Sequence, residues 1–254
     1  MSELSELKEF ACLLAEESAK VIRPYFRALT NFDTKKDNSP VTIADRKGEE
    51  IMRELIMKQL PDHGIVGEEF GNYNESAEYR WVLDPIDGTI SFVCGLPIFG
   101  TLIALVHGRE PVLGIIHQPI IEELMLGDNE ETILNGQPVR VRDCKDISSA
   151  TLLTTDPYLI MQHKNFERFE ALRKRVMVYR GAGDCYGYLL LAAGQVDIML
   201  DPIMNAWDIT ALIPVVRGAG GQITDYHGAD PMAGSSIVAT SGKIHDQVIR
   251  TLNS

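Results

Sequence analysis

The chain has 254 residues, 45% of them hydrophobic, which is enough to bury a full core as one domain or as two close-packed halves. Its formal net charge is −12, and no basic face is evident of the kind a nucleic-acid binder presents. Glu3, Glu6 and Glu9 stand where a secretory leader would be basic, and no apolar run reaches the roughly 18 residues of a membrane span, so a cytoplasmic protein is expected, without a membrane partner.

Leu4, Leu7, Ala11, Leu14, Ser18, Val21 and Tyr25 follow helical spacing and predict a long amphipathic first helix. A second helix is expected over 42–60, with Ile43, Ile51, Leu55 and Ile56 on one face and Pro61 as its stop. Strands follow at 64–67 and 80–84. The stretch 98–134 is strand-rich, broken by turn residues such as Asn135-Gly136 at its end, and reads as an antiparallel meander. After Ser148 the pattern alternates. Strands are expected at 151–155, 176–179 and 196–200, each leading into a helix, at 157–173, 184–193 and 207–218. Strands at 222–224 and 236–239 precede a last helix near 243–252. A strand-rich half (1–148) and an alternating half (149–254) suggest α+β and α/β layers. Cys12, Cys94, Cys144 and Cys185 contain no CxxC pair and read as reduced thiols, and the six histidines show no ligand spacing.

The most informative stretch is Asp84-Pro85-Ile86-Asp87-Gly88-Thr89, placed where the strand Arg80-Trp81-Val82-Leu83 ends. Open α/β sheets bind ligands at strand ends. Pro85 rigidifies the turn, and Gly88 lets backbone approach an anion closely. Carboxylates, a free carbonyl, a hydroxyl and exposed N–H groups are the mixture that holds Mg²⁺ beside a phosphate. An ordinary strand followed by an Asp-Gly turn is the plainer reading of the dipeptide alone.

The six-residue string resembles the signature of the inositol monophosphatase superfamily of Mg²⁺-dependent, typically lithium-sensitive phosphomonoesterases. Pro40-Val41-Thr42-Ile43-Ala44-Asp45, Gly67-Glu68-Glu69 and Trp207-Asp208-Ile209-Thr210 match in the same order, so the resemblance covers nearly the whole chain. It implies a layered α-β-α-β-α sandwich with the active site at the junction of the two halves. It also implies that Glu68, Asp84, Asp87, Asp208 and the carbonyl of Ile86 hold two or three Mg²⁺ ions. In the reaction so implied, Glu68 and Thr89 position and deprotonate a water, with Asp45 as the partner carboxylate of Thr89. The amides of Gly88 and Thr89 hold phosphate oxygens, and the metal held by Asp87 and Asp208 stabilises the leaving oxygen. The family's match to Asp45 supports a third, weaker metal position. Several of these residues have plainer roles too. Asp208 suits the N-cap of the helix that follows, Thr42 to Asp45 suits a capping box, and Lys36 suits a solvated loop charge as well as a contact to the site.

Arg180-Gly181-Ala182-Gly183-Asp184-Cys185-Tyr186-Gly187-Tyr188 is the second informative segment. A helix start near Asp184, read as its N-cap, would offer free N–H donors, and Arg180 could grip an anion bidentately. From Gly183 to Tyr188 the segment is similar to the histidinol-phosphatase branch of the superfamily, and so is the stretch 95–105. Ile90-Ser91-Phe92, Asp201 and Thr210 depart from the inositol branch. The expected substrate is therefore L-histidinol phosphate, in histidine biosynthesis. Asp201 and Asp184 would face its cationic part, and the family implies a homodimer. The alternatives are an inositol-1-phosphate or broad sugar-phosphate monophosphatase, and a non-catalytic binding protein with the same fold. A bisphosphate nucleotidase lacks support, because no insertion in the first half would build a nucleotide pocket.

Overall fold

The structure is a computed structural model describing residues 3–28, 33–34 and 40–254. Lys36 lies outside the described residues. Helix α1 (Glu3–Ile22) buries Leu7, Phe10, Ala11, Leu14 and Ala15 at three- and four-residue spacing, and Pro24 sits in the short 3₁₀ turn that follows it. A short antiparallel pair, β1 (Asp33–Thr34) and β2 (Pro40–Val41), leads into α2 (Ile43–Gln59), which buries Met52 and Ile56. The two helices cover one face of an eight-stranded sheet.

That sheet comprises β3 (Gly64–Gly67), β4 (Gly71–Tyr73), β5 (Tyr79–Asp87), β6 (Gly100–His107), β7 (Glu110–Gln118), β8 (Glu123–Gly127), β9 (Thr132–Leu134) and β10 (Gln137–Pro138), in the order β10-β9-β8-β7-β6-β5-β3-β4. The run from β6 to β10 is the expected antiparallel meander. Two features differ from expectation. The hairpin strand β4 was not foreseen, because its Gly71-Asn72-Tyr73 sequence is exposed and reads as a turn. Also, β3 pairs with β5 in parallel, so both strands deliver their C-terminal residues, Glu68 and Asp84 to Asp87, to one end of the sheet. A short helix, α3 (Thr89–Val93), follows β5 directly.

The second half comprises β11 (Thr151–Thr154), α4 (Pro157–His163), α5 (Phe166–Arg173), β12 (Val178–Gly181), α6 (Asp184–Ala192), β13 (Ile198–Asp201), α7 (Ala206–Thr210), α8 (Leu212–Gly218), β14 (Gln222–Thr224), β15 (Ile237–Thr240) and α9 (His245–Asn253). Its sheet runs β12-β11-β13-β15-β14, parallel through β13 and antiparallel beyond it. Two of the expected helices are each divided. Asn165 leaves the helical path and caps α5 by accepting the amide of Arg168. Pro214 has no N–H for the carbonyl of Thr210, and α7 and α8 part at Ala211.

Strand alternation builds the layers. Trp81, Leu83, Ile103 and Leu105 face α1 and α2, whereas Val82, Leu102, Ala104 and Val106 face α6 and α8. The same central helices meet Leu153, Met199 and Ala239 of the smaller sheet, whose other face (Leu152, Ile198, Leu200) packs on α5 and α9 through Phe169, Leu172 and Val248. The result is the expected α-β-α-β-α sandwich. Strands buried on both faces explain why their sequences read as continuous apolar runs.

Candidate active site

Strict alternation would send Asp84 and Asp87, three residues apart, to opposite faces of β5. A register shift prevents this. Asp84 pairs with Leu102 and Asp87 with Gly100, so β5 spends one residue more than β6 over the same span. Pro85, which has no N–H for the ladder, lies within the irregularity, and its carbonyl accepts the hydroxyl of Thr101 at 2.8 Å. Asp208 arrives from α7. It is not the N-cap of that helix. Asn205 is the cap, and Asp208 closes the capping box from the third helical position, accepting the Asn205 amide at 2.7 Å.

Asp84, Asp87 and Asp208 each offer a carboxylate oxygen, and these atoms lie within 4.8 Å of one another. Burial, then the Glu68 and Asp87 charges, push Asp84 well above the usual carboxylate range. Burial, then Asp208 and Asp184, do the same to Asp87. Asp208 is pushed up to about 6, mainly by burial, with Glu68 adding to it. Glu68 thus stands close enough to act on two of the three. The set fits a hard divalent cation: every donor is oxygen, no histidine joins it, and the crowded charge needs a counter-ion.

Thr89 opens α3 behind Gly88, whose φ of +84° is a conformation glycine adopts freely. A Cβ on Gly88 would also lie 2.9 Å from Cγ of Asp184, so the glycine admits that carboxylate. The Thr89 hydroxyl lies 3.3 Å from Asp45 Oδ1 and 3.1 Å from the Ile86 carbonyl, and can donate to either. The expected capping box is present: Asp45 Oδ2 accepts the Thr42 amide at 2.8 Å. Fully buried, Asp45 is pushed up to about 6 by that burial.

A small cavity of about 100 Å³ adjoins this cluster, lined by Asp87, Asp208, Thr155, Asp184 and Asp201 among others. Asp184 is not the helix cap. Gly183 occupies that position, and Asp184 follows it with φ +42°, a strained conformation held by Ser91 Oγ donating to Asp184 Oδ2 at 2.5 Å. Asp201 is engaged on both oxygens, accepting the Thr155 amide at 3.1 Å and the Tyr188 hydroxyl at 2.9 Å. Burial raises it to about 7. Asp87 Oδ2 accepts the Cys185 amide at 2.6 Å, tying β5 to the start of α6.

Arg180 is not brought to these groups. It is exposed on β12, and its guanidinium donates to the Tyr179 carbonyl. Trp207 packs against the central core. Thr155, Tyr188, Ser91 and the Cys185 amide hold Asp201, Asp184 and Asp87 by hydrogen bonds that sequence reasoning missed. A hydroxyl residue at the end of a strand was the one signal that could have flagged Thr155.

The raised carboxylates predict a pH-dependent response to Mg²⁺. Asp208 has a folded pKa of about 6 against an ordinary 3.8. The stability this shift contributes to the metal-free protein is full below about pH 4 and is lost as pH rises through about 6. A divalent cation bound to the cluster would replace the missing protons above that window and compete with them below it. Thermal melts should show a Mg²⁺-induced rise in Tm at pH 8 that is largely lost at pH 4.5. An equal rise at both pH values would contradict the assignment.

An oxygen-donor cluster with Asp84 buried and Asp87 and Asp208 partly buried, and a helix-opening hydroxyl beside it, has the donor chemistry that metal-assisted phosphoester hydrolysis uses. The sequence model of the inositol monophosphatase family matches residues 3–254. The bifunctional phosphatase IMPL2 of Arabidopsis thaliana (chloroplastic) is 45% identical over 269 residues, covering 99% of this chain and 78% of that protein. A histidinol-phosphatase of Chlorobaculum parvum is 36% identical, covering 96% of this chain and 95% of its own. Among solved structures, an inositol monophosphatase from Zymomonas mobilis superposes with a TM-score of 0.89 at 36% identity, over 100% of both chains. The protein is a phosphatase of a metal-dependent hydrolase family, and the chain belongs to the inositol monophosphatase family.

Proposed function

We propose that the protein hydrolyses L-histidinol phosphate to L-histidinol and phosphate, with Mg²⁺ as its cofactor. The observation that carries this reading is a pair of carboxylates outside the cation set, Asp184 and Asp201, lining the same cavity as Asp87 and Asp208. An ammonium and an imidazole are the complement of such a wall, and the named histidinol-phosphatase relative supports the choice. Inositol presents only neutral hydroxyls. An inositol or broad sugar-phosphate activity has one observation in its favour: with a pKa of about 7, Asp201 is partly neutral near neutrality and can then donate to a hydroxyl.

Glu68, Asp84, Asp87, Asp208 and the Ile86 carbonyl would hold the cation. Bound Mg²⁺, two or three ions, would acidify a water and neutralise phosphate charge. Thr89 would orient the attacking water through its hydroxyl oxygen and pass its own proton toward Asp45, whose value near 6 suits a base at neutral pH. Glu68 would accept the water's second hydrogen as a hydrogen bond and so hold it in place. The amides of Gly88 and Thr89 would meet phosphate oxygens, and the departing alcohol oxygen would take a proton from solvent.

Phosphate release with Mg²⁺ over histidinol phosphate, inositol 1-phosphate, fructose 1,6-bisphosphate and adenosine bisphosphate tests the reading. A kcat/KM for inositol 1-phosphate above that for histidinol phosphate would overturn it. Asp201→Asn refines the test. The amide can still accept from Thr155 and donate to the Tyr188 oxygen, so the change mainly removes charge. KM for histidinol phosphate should rise roughly 10- to 100-fold while glycerol phosphate hydrolysis barely moves. Equal losses on both would make Asp201 a support of the metal site instead.

A cytoplasmic homodimer belongs to the same reading. Tyr158 and Met161 on α4, and Met177 and Val178 at the free edge β12, are exposed apolar side chains that a second copy could cover. Light scattering would give a dimer mass if so.

A further inference from the structure

A second cavity, of about 460 Å³, lies on the other side of α7 from the small cavity, and the two share no lining residue. Its floor is the large sheet. Val66 pairs with Val82 and Arg80 with Val106 in register, so all four side chains rise from one face. Asp84, two residues beyond Val82, continues that row into the cation cluster. The cavity is closed by Ala206 and Thr210, one helical turn apart on α7, and by Met232 after the loop that follows β14.

Arg80, Arg109 and Asp230 stand around this apolar floor, whereas Glu110, paired with His107, points to the other face of the sheet. Among the described residues none of them forms an ion pair. Arg80 donates one guanidinium nitrogen to the Gly108 carbonyl, but its Nε is buried with no hydrogen-bond partner. That nitrogen is closed to solvent, and the guanidinium nitrogen not bound to Gly108 is the one a ligand carboxylate can reach. Asp230 spends one oxygen on the Met232 amide. Two guanidinium groups and a carboxylate around a wall of valines and a methionine complement a zwitterion with a hydrocarbon body. A volume of this size is ordinary for small-molecule sites.

We propose that this cavity binds a free α-amino acid with an apolar side chain, its carboxylate at Arg80 and its ammonium toward Asp230. The occupant would pack on the Ala206–Thr210 side of α7 while Asp208 faces the cation cluster from the same helix. It would therefore brace a metal ligand without touching substrate, and its binding and that of Mg²⁺ would strengthen each other by the same factor.

The test is a titration of the full chain with Mg²⁺ by L-leucine and L-phenylalanine, with 4-methylpentanoate and 3-methylbutylamine as one-charge comparators. Binding is followed by calorimetry and by methyl NMR of the unmodified protein. Expected are saturable binding with Kd of about 1 mM or tighter, shifts at the Met232 and Val106 methyls, and comparators weaker by about 10-fold or more. Arg80→Met and Met232→Trp should each weaken binding by at least about 10-fold. No saturable binding, or binding that leaves the Met232 and Val106 methyls unmoved, overturns the proposal. So does a comparator that binds as well as the amino acid. None of these readouts uses a phosphate ester, so failure here is distinct from failure of the substrate reading.

Discussion

Asp87→Asn is expected to lose roughly 10³-fold or more in kcat/KM while the fold survives. The side chain is one of three whose oxygens meet within 4.8 Å, and it also accepts the Cys185 amide at 2.6 Å. Asparagine keeps one acceptor for that amide, so the link between β5 and α6 can persist. What disappears is a negative charge in a cluster where charge is the function. In the absence of Mg²⁺ the variant should be no less stable than the parent, because burial and the neighbours Asp208 and Asp184 hold Asp87 well above its usual range. Circular dichroism melts in chelator, set beside phosphate-release kinetics in Mg²⁺, check both halves. Activity above about a tenth of the parent's would remove Asp87 from the cation site.

Thr89→Ala should give the second-largest loss, on the order of 10²- to 10³-fold in kcat, with the Mg²⁺ concentration for half-activation little changed. The hydroxyl lies 3.3 Å from Asp45 and 3.1 Å from the Ile86 carbonyl, and carries no charge to add to the three-carboxylate cluster. Removing it takes away the group proposed to orient the water and leaves the donors in place. Thr89→Ser tests the same point from the other side, since it restores the hydroxyl without the methyl and should recover most of the lost rate. A large shift in Mg²⁺ requirement for Thr89→Ala, with kcat preserved, would make the hydroxyl a metal ligand.

What could be read from the chain alone was whatever depends on a short window of sequence. Pro85 and Gly88 mark a turn at the end of an apolar run, and the carboxylates flanking Pro85 announce cation chemistry because few other tasks need that mixture. Helical spacing marked the buried face of α1, and the change from meander to alternation marked the two kinds of layer. The chain could not tell that β3 and β5 run parallel, because pairing direction depends on which partner each strand finds. Nor could it tell that an irregularity returns Asp87 to the face of Asp84. That depends on the register against β6, which no residue of β5 specifies alone. The same holds for side chains whose partners are distant. Cys185 reaches Asp87 across 98 residues, and Thr155 reaches Asp201 across 46. Both contacts form where the two sheets meet the central helices. Arg180 was a fair anion-binding candidate by type, but its place on the edge strand sends its guanidinium to a backbone carbonyl. Residue type is local, whereas the direction and partners of a side chain are properties of the packed layers. The tertiary structure therefore decided which of the nominated carboxylates share one cavity, and which charged residues were left unpaired around the other.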